Sequence, residues 1–393
     1  MLARIFAVAQ INLLSLRARW PSALVVIICL AGVGGVFVAM LGMARGFDRS
    51  FESAGRDDRV VVISTGETSD LGSSITREQG ATLRGLPGYA RDASGAPLTM
   101  LERYTLAYLP GIRTGADEGV ILRGVGSNVL QVRPEARIVQ GRMFTPGLRE
   151  LVAGRAAQGQ YRGLSLGARV ELSGIAWTVV GVFTDRGSAH ESETWADVEV
   201  VMSAYNQPNY SALVGLLPSA AAFAAYKDAV TAHPQLTHTV FREREYNAAQ
   251  TAVLSTAMHA LGYAVAAIMA LGAVFAAFDT MYATLEARSV EVATLRALGF
   301  DGFPIVAAML IESVALCVAG ALLGAGLAWL LFNGYSASTL NGLSQSRVAF
   351  AFSIGPDLFL EAVLAAGAVG ILGSIVPAVR AAVMPVIESL RAT

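Results

Sequence analysis

The sequence is poor in charge and almost free of lysine. Only 15% of its 393 residues are charged, whereas a soluble globular domain usually carries about 25%. Lys227 is the single lysine, and no Gly-rich turn precedes it. A phosphate-binding loop of the G-x-x-x-x-G-K-[ST] type needs such a lysine. If the protein uses the energy of ATP, another chain must therefore bind the nucleotide.

Cysteines and catalytic motifs are equally scarce. Cys29 and Cys317 both lie in apolar stretches, which is typical of buried thiols and not of a disulfide framework. Neither G-x-S-x-G nor H-E-x-x-H occurs, so no motif indicates an enzyme. A pI near 6.5 with evenly mixed charges also argues against binding to nucleic acid.

One segment gathers a histidine with several carboxylates. Its members are His190, Glu191, Glu193 and Asp197. A metal site needs convergent ligands at a defined spacing, and this pattern does not provide it. We interpret the segment as a solvated loop, and we predict no metal site.

Most of the charge lies in one part of the chain. Of the 59 charged residues, 43 fall between Arg45 and Glu245. Elsewhere, four apolar stretches each reach the length of about 20 residues that a helix needs to cross a bilayer. These predicted spans are 21–44, 251–282, 302–333 and 357–379. We therefore predict a multi-pass α-helical membrane protein with four transmembrane helices and a large extracytoplasmic domain, residues 45–250, between helices 1 and 2.

The first span could instead be a cleaved signal peptide. Its apolar run exceeds the 7–15 residues usual for a signal sequence, so we favour a permanent span. Residues 1–20 are apolar with arginines at their edges, which is typical of an amphipathic helix at the membrane interface, although a solvated lead-in helix would share the pattern. Glycines recur in the last two spans, for example at Gly324 and Gly370, as in closely packed membrane helices.

Arginines are unevenly shared among the short connections. Seven fall on one side of the predicted membrane, namely Arg4, Arg17, Arg19, Arg288, Arg296, Arg380 and Arg391. The 334–356 loop on the other side has only Arg347. Because positive charge favours the cytoplasm, we expect both termini, the 283–301 loop and the 380–393 tail to be cytoplasmic, with the large domain outside.

The outer domain combines strand and helix patterns. The strand candidates are 58–64, 168–172, 175–183, 197–202 and 211–217. Ser173-Gly174 reads as the two-residue turn of a hairpin, and 219–230 reads as a helix capped by Ser219. We predict an α+β domain with a β-rich subdomain at about 120–200.

The 283–301 loop contains a short helix pattern that ends at Gly299. From periodicity alone, a helix that transmits force between two spans and a plain solvated connector are equally good readings. Its sequence resembles the cytoplasmic loop of the FtsX-like permease family of ABC transporters, which includes MacB-like, LolC/LolE-like and DevC-type permeases. The family pattern R-x-x-E-I-A-x-L-R-A-L-G departs only at Val292.

Two further segments are similar to that family. Glu312 precedes a helix rich in small residues, and the end of the chain, from Pro377 to Arg391, resembles the family's C-terminal motif with Pro385 one position early. The order of one span, a large domain and three spans also matches. The resemblance implies a porter-like outer domain with an inserted β-rich subdomain.

The resemblance assigns roles to residues and partners. The 283–301 loop would be a coupling helix that docks a separate ATPase dimer through Arg288, Glu291, Leu295, Arg296, Leu298 and Gly299. The chain would pair with a second permease copy, identical or a paralogue, and could contact a periplasmic adaptor and membrane lipid. It would bind no cofactor itself, since ATP and Mg²⁺ would be used by the ATPase. For the intramembrane acid Glu312 we favour a structural role over contact with substrate or protons.

The implied function is that of a permease in the bacterial inner membrane. It would export a hydrophobic or amphiphilic substrate (a lipid, lipoprotein, peptide or drug), or extract it from the outer leaflet, by a mechanical stroke of its periplasmic domain. The alternative is a regulator that transports nothing and instead transmits force to a periplasmic hydrolase or a sensor kinase.

Overall fold

A computed structural model describes residues 20–287, 289–297, 302–340 and 347–383. The chain divides into two compact units. The membrane unit takes the described parts of 1–45, 257–335 and 352–393, and the extracytoplasmic unit takes 46–256 and 336–351. We describe each unit by itself.

The described residues form ten α-helices and twelve strands. The helices are α1 (Trp20–Glu52), α2 (Arg77–Gly85), α3 (Val129–Val132), α4 (Arg155–Gln160), α5 (Val198–Ala204), α6 (Phe223–Thr231), α7 (Glu243–Ala287), α8 (Ser289–Ala297), α9 (Gly302–Phe332) and α10 (Pro356–Val383). The strands are β1 (Arg59–Ser64), β2 (Thr99–Pro110), β3 (Asp117–Val125), β4 (Arg137–Gly141), β5 (Glu150–Gly154), β6 (Arg169–Leu172), β7 (Ile175–Thr184), β8 (Glu193–Asp197), β9 (Ala212–Leu216), β10 (His238–Arg242), β11 (Ser336–Leu340) and β12 (Arg347–Ala351).

Four of these helices, α1, α7, α9 and α10, are long and apolar enough to cross a membrane. Two of them run well beyond the apolar stretches seen in the sequence. Helix α1 continues to Glu52 and α7 begins at Glu243. The sequence shows where each apolar stretch ends at charged residues. The helix itself can continue past that point, because it requires only its backbone hydrogen bonds.

Close backbone contacts hold the membrane helices together. A Cβ atom on Gly324 of α9 would lie 2.1 Å from the carbonyl oxygen of Ala31 in α1. A Cβ on Gly370 of α10 would lie 2.9 Å from the Cα of Val314 in α9. Small residues allow such approach in membranes, where no hydrophobic force drives helices together. The close packing expected at these glycines is therefore confirmed.

The extracytoplasmic unit is built on a ten-stranded sheet in the order β10-β1-β9-β2-β3-β8-β5-β7-β4, with β6 paired to β7. Strand β2 joins its two halves, because residues 99–102 pair with β9 and residues 103–110 pair with β3. The pairs β3–β8 and β5–β7 are parallel, and the others are antiparallel. Helices α2 to α6 lie between these strands in the chain. The unit therefore has the predicted α+β fold. The strand-rich segment at 120–200 supplies the second half of the sheet, so its strands continue the sheet of β1, β9 and β10.

The predicted hairpin is confirmed in register as well as position. Leu172 pairs with Ile175, and the two turn residues have positive φ angles, 50° at Ser173 and 80° at Gly174. Positive φ at both central positions matches the twist of the flanking strands. Glycine adopts it readily, and Ser173 accepts it at a small steric cost.

Two local predictions were wrong. Within the predicted strand 197–202, residues 198–202 instead form the start of α5, because the Asp197 carboxylate accepts the backbone N–H groups of Glu199 and Val200 at 2.9 and 3.1 Å. Such a cap satisfies N–H groups that a helix start leaves free, and here it outweighs the β-branched residues. The predicted cap at Ser219 makes no side-chain hydrogen bond, and a 3₁₀ turn separates it from α6.

The loop between α9 and α10 contains a β-hairpin. Strands β11 and β12 pair from Ser336–Ala351 to Leu340–Arg347. The hairpin belongs to the extracytoplasmic unit, where Phe350 packs edge-on against Phe47 with ring centroids 5.6 Å apart. This connection is therefore part of the outer domain and not merely a link between spans.

Candidate functional site

One apolar face of α8 packs against the other helices of the membrane unit. Val292 and Ala293 are buried. Val292 packs with residues of three other helices in a small apolar cluster that also contains Leu285, Ile305, Met309, Ala378 and Ala381. Since α7, α9 and α10 all contribute, α8 is packed against three membrane helices.

Another face of α8 is exposed. Val290, Thr294 and Ala297 are exposed, and their spacing of four and three residues aligns them along the helix. An exposed apolar residue such as Val290, which is 40% exposed, suits a contact surface for another chain. This face lies on the segment predicted to dock an ATPase.

The structure places the predicted docking residues unequally. Glu291, Leu295 and Arg296 belong to α8, and Arg296 is half-buried. Arg288, Leu298 and Gly299 lie outside the described residues. The predicted intramembrane acid, Glu312, is only 2% exposed, within α9.

A charge contact absent from the predictions joins α1 to α10. The Arg45 guanidinium binds the carboxylates of Asp357 and Glu361. Glu361, near the start of α10, thus has a cationic partner from another helix. Pairing of this kind reduces the cost of a charge next to an apolar region.

The largest polar feature is a chain of buried charges in the extracytoplasmic unit. Its arginines and glutamates alternate in the order Glu193, Arg123, Glu102, Arg133, Glu243 and Arg59, and we call these six residues the buried charge chain. All six are at most 6% exposed. Charges so far from water are tolerated only when each is paired and hydrogen-bonded.

The first half of the chain is centred on Arg123 of β3. Its Nε and Nη2 donate to the two carboxylate oxygens of Glu193 at 2.7 and 2.8 Å. Its Nη1 donates to Glu102 at 2.7 Å and to Asp70 at 3.3 Å. The guanidinium therefore fixes β8 and β2 relative to β3 through a planar, two-pronged contact.

The second half leads to the points where the chain enters and leaves the domain. Arg133 donates to Glu102 at 3.2 Å and to Glu243 at 2.6 Å. Glu243 also accepts from Arg59 at 2.5 Å. Arg59 is the first residue of β1, which follows α1, and Glu243 is the first residue of α7. The two ends of the domain are thus tied to the middle of its sheet.

Arg59 continues the path to one further carboxylate. It donates to Glu135 at 3.0 Å, and Arg56 donates to the other oxygen of Glu135 at 2.8 Å. Burial opposes ionisation of Glu135, but its bonds with Arg56 and Arg59 prevail and lower its pKa to about 2. Glu193 behaves alike: burial raises its pKa, while Arg123 and His190 lower it by more, to well below the usual range.

Asp70 shifts the other way. Its burial outweighs the attraction of Arg123, and the nearby Glu102 and Glu193 carboxylates add repulsion, so its pKa is raised. Asp70 therefore takes up a proton more readily than an ordinary aspartate as the pH falls.

The interpretation of residues 190–197 as a solvated loop was wrong. His190, Glu191, Glu193 and Asp197 are all at most 9% exposed. The His190 ring nitrogens lie 3.1 Å from Arg133 Nη1 and 3.4 Å from Glu193 Oε1. The polar composition that suggested a loop instead supplies the buried charge chain and the cap of α5.

The buried charge chain is not evident from the sequence because its members are far apart along the chain. Arg123 and Glu193 are separated by 70 residues, and Arg59 and Glu243 by 184. One signal was available: Arg123 and Glu102 interrupt runs that otherwise read as buried strands, and a charge at such a place needs a partner.

These features describe a membrane protein with four span-length helices and an outer α+β domain, and sequence comparison specifies the class. The family of MacB-like periplasmic core domains matches residues 22–233, more than half of the chain. The FtsX-like permease C-terminal family matches residues 263–386. The chain therefore belongs to the FtsX-like permeases of ABC transporters, whose ATPase activity lies in a separate subunit.

Solved structures with a partial likeness to this chain include two transporter domains. The extracellular domain of the ABC-type transporter YknZ from Gram-positive bacteria is 18% identical, with 47% of this chain and 99% of that chain covered and a TM-score of 0.36. The periplasmic region of MacB from Actinobacillus actinomycetemcomitans is 12% identical, with 48% and 90% covered and a TM-score of 0.37.

A domain of a putative permease from Porphyromonas gingivalis is 13% identical, with 47% of this chain and 90% of that chain covered and a TM-score of 0.33. No curated relative matches the sequence. Because the structural scores are low, membership of the family rests on the two sequence families. It identifies an inner-membrane protein with an extracytoplasmic domain.

Proposed function

We propose that this permease couples ATP hydrolysis in a separate ATPase dimer to a movement of its extracytoplasmic domain. The movement exports a hydrophobic or amphiphilic substrate (a lipid, lipoprotein, peptide or drug), or extracts it from the outer leaflet. The observation that carries the proposal is the placement of α8, whose buried Val292 lies in an apolar cluster with residues of α7, α9 and α10 while Val290 and Thr294 stay exposed.

The arginine distribution supports the orientation that this function needs. With α8 and both termini in the cytoplasm, the exposed face of α8 is available to an ATPase, and the outer domain is available to substrate. The chain itself binds no nucleotide, since ATP and Mg²⁺ are held by the ATPase. A second permease copy, identical or a paralogue, completes the complex, and a periplasmic adaptor receives the substrate.

The buried charge chain gives the proposed movement a rigid connection. Movement of α7 at Glu243, or of α1 just before Arg59, displaces charged partners that do not separate easily, because separating a buried ion pair leaves an uncompensated charge. Glu102 and Arg123 then pass the displacement to β2, β3 and β8. In this view the outer domain moves as a body and does not deform locally.

Replacement of two charges on α8 tests the docking. In the double variant Glu291→Ala with Arg296→Ala, we expect much less ATPase to remain bound to the affinity-purified permease and ATP hydrolysis by the complex to fall. Limited proteolysis of the outer domain should be unchanged, because α8 belongs to the membrane unit.

A matched control is offered by α2 of the outer domain. Glu78 and Arg84 are exposed there, so Glu78→Ala with Arg84→Ala removes the same pair of charges far along the chain. This control should keep both ATPase binding and hydrolysis. Equal behaviour of the two double variants would count against α8 as the docking element.

A further inference from the structure

A polar cleft opens in the extracytoplasmic unit between the β11–β12 hairpin and the body of the domain. Its volume is about 430 Å³, within the range of about 300–1,000 Å³ usual for small-molecule sites. Its charged and amide lining consists of Arg113, Glu118, Arg155, Gln160, Glu191 and Arg347. Nothing in the coupling mechanism uses this cleft.

Hydrogen bonds fix the walls of the cleft. Arg347 of β12 donates to Glu118 of β3 at 2.9 Å, and the Thr114 hydroxyl donates to the same carboxylate oxygen at 2.6 Å. The backbone N–H of Ala349 donates to the Ser192 hydroxyl at 2.8 Å. The hairpin is thus attached to the domain at two points, and the cleft is preformed.

The two carboxylates of the cleft are already engaged. Glu118 holds Arg347 and Thr114, as above. One oxygen of Glu191 accepts the backbone N–H groups of Asp185 and Gly187 at 2.7 and 2.8 Å. Both carboxylates therefore stabilise the walls of the cleft and are less available to a bound molecule.

Two arginines and one amide remain uncommitted. Neither Arg113 nor Arg155 makes a hydrogen bond or ion pair with any residue that the structure describes, and both are exposed. Within the same described set, both polar atoms of the Gln160 side chain are buried without a partner, as is Nε of Arg347. Buried polar atoms are nearly always bonded in native proteins, so a bound molecule that supplied partners would complete this site.

The charges decide what that molecule is. The cleft is lined by three arginines and two glutamates, and one of the arginines is paired with Glu118. The charge that remains available to a ligand is therefore positive. Guanidinium groups bind phosphate and carboxylate oxygens in planar, charge-assisted contacts. Gln160 adds a neutral donor for the same anion and an acceptor for a neighbouring hydroxyl or amine.

We propose that this cleft binds a small organic anion through a phosphate or carboxylate group, with Arg113 and Arg155 as its cationic ligands and Gln160 as a neutral one. The volume leaves room for an organic body beside the anionic group. This site does not depend on the proposed coupling to an ATPase, and its test below does not involve ATP.

Calorimetric titration of the full-length protein in detergent, in phosphate-free buffer of low ionic strength, tests the proposal. The probes are inorganic phosphate, sn-glycerol 3-phosphate and glycerate. We expect saturable binding of at least one. If sn-glycerol 3-phosphate binds more tightly than the other two probes, the ligand is a phosphate ester such as a lipid headgroup. If inorganic phosphate binds as tightly as sn-glycerol 3-phosphate, the site recognises the phosphate group itself. If glycerate binds most tightly, the ligand is a carboxylate.

Variants tie the binding to the cleft. Arg113→Gln with Arg155→Gln should weaken binding at least about tenfold, as expected when charge-assisted hydrogen bonds to an anion are lost. Arg169→Gln is the control, because Arg169 is an exposed arginine of β6 that does not line the cleft. Absence of saturable binding for all three probes, an unchanged affinity in the double variant, or an equal loss in Arg169→Gln would overturn the proposal.

Discussion

Each of the two units of this protein is stabilised internally by a different kind of contact. In the membrane unit, α9 meets α1 and α10 through glycines whose missing side chains let backbones touch, as at Gly324 and Gly370. In the extracytoplasmic unit, a ten-stranded sheet is crossed by the buried charge chain, centred on Arg123 and Glu243. The membrane unit depends mainly on close backbone fit, supplemented by contacts such as the Arg45 ion pairs. The extracytoplasmic unit depends on polar bonds placed beyond the reach of water.

This difference follows from the solvent around each unit. Lipid offers no hydrophobic driving force between helices, so close van der Waals contact is what holds them. Water makes a buried ion pair costly to form and costlier to break, because removing one partner strands the other. A buried charge chain therefore contributes specificity and stiffness to the outer domain more than net stability.

The largest effect is expected from removal of one central charge. Arg123→Gln strands Glu102 and Glu193 without their cation, and we expect the outer domain to lose about 3–5 kcal/mol of stability. The measurement is urea unfolding of the full-length protein followed by tryptophan fluorescence. Trp177 and Trp195 report on the outer domain, once the other two tryptophans are changed to phenylalanine.

An exposed pair provides the control for this measurement. Arg77 binds Glu199 at 2.6 Å with its side chain 60% exposed. Arg77→Gln should cost less than about 1 kcal/mol, since exposed pairs are screened by water. If Arg123→Gln cost no more than Arg77→Gln, the buried charge chain would not hold the domain together.

A smaller effect is expected from one added methyl group in the membrane unit. The extra carbon in Gly324→Ala would meet the Ala31 carbonyl and force α9 away from α1, at a cost of about 1–3 kcal/mol. The thiol of Cys317, buried in the same unit, should then react with a fluorescent maleimide at a lower temperature. The background is Cys29→Ser, since Cys29 is exposed.

Two residues along the same helix, Gly326 has open space where its Cβ would be. Gly326→Ala should therefore leave the reactivity of Cys317 unchanged. A lowered temperature in both variants would point to a general sensitivity of α9, and not to contact between backbones.

The smallest effect concerns pH. The pKa of Glu135 is about 2 in the folded protein, against 4.5 when unperturbed. Its stabilising contribution is thus complete above pH 4.5 and is lost as the pH falls through about 2. The raised pKa of Asp70 acts the opposite way, because the folded state holds that proton more tightly and this contribution fades as the pH rises.

Urea midpoints of the outer domain measured between pH 6 and pH 2 separate the two contributions. Relative to the unchanged protein, Glu135→Gln should flatten the loss of stability in acid, and Asp70→Asn should steepen it. A Glu135→Gln protein with the original acid sensitivity would show that the bonds of Glu135 with Arg56 and Arg59 do not control the response.

Features that are local in the sequence could be predicted, and features that join distant segments could not. The four apolar stretches, the Ser173-Gly174 hairpin and the resemblance around α8 are each written in consecutive residues. The hairpin of β11 and β12 and the pairing of Arg59 with Glu243 depend on the fold that brings them together. Asp197 lies between these cases, because its capping role is local but the β-branched residues after it mimic a strand.

The assignment of the docking site was limited in the same way. Resemblance identified α8 and its charges, but it did not reveal that Val292 is the residue turned into the membrane unit, since burial on a short helix depends on α9 and α10. The exposed face of Val290, Thr294 and Ala297 became evident only from the packing.

Photo-crosslinking from α8 in native membranes tests whether this helix docks an ATPase. A photoreactive amino acid replaces Thr294, which is exposed on α8, and, as a control, Thr231, which is exposed on α6 of the outer domain. The adducts are then identified by mass spectrometry. We expect an ATPase subunit to be attached at position 294 and none at position 231. No ATPase at 294, or the same ATPase at both positions, would contradict it.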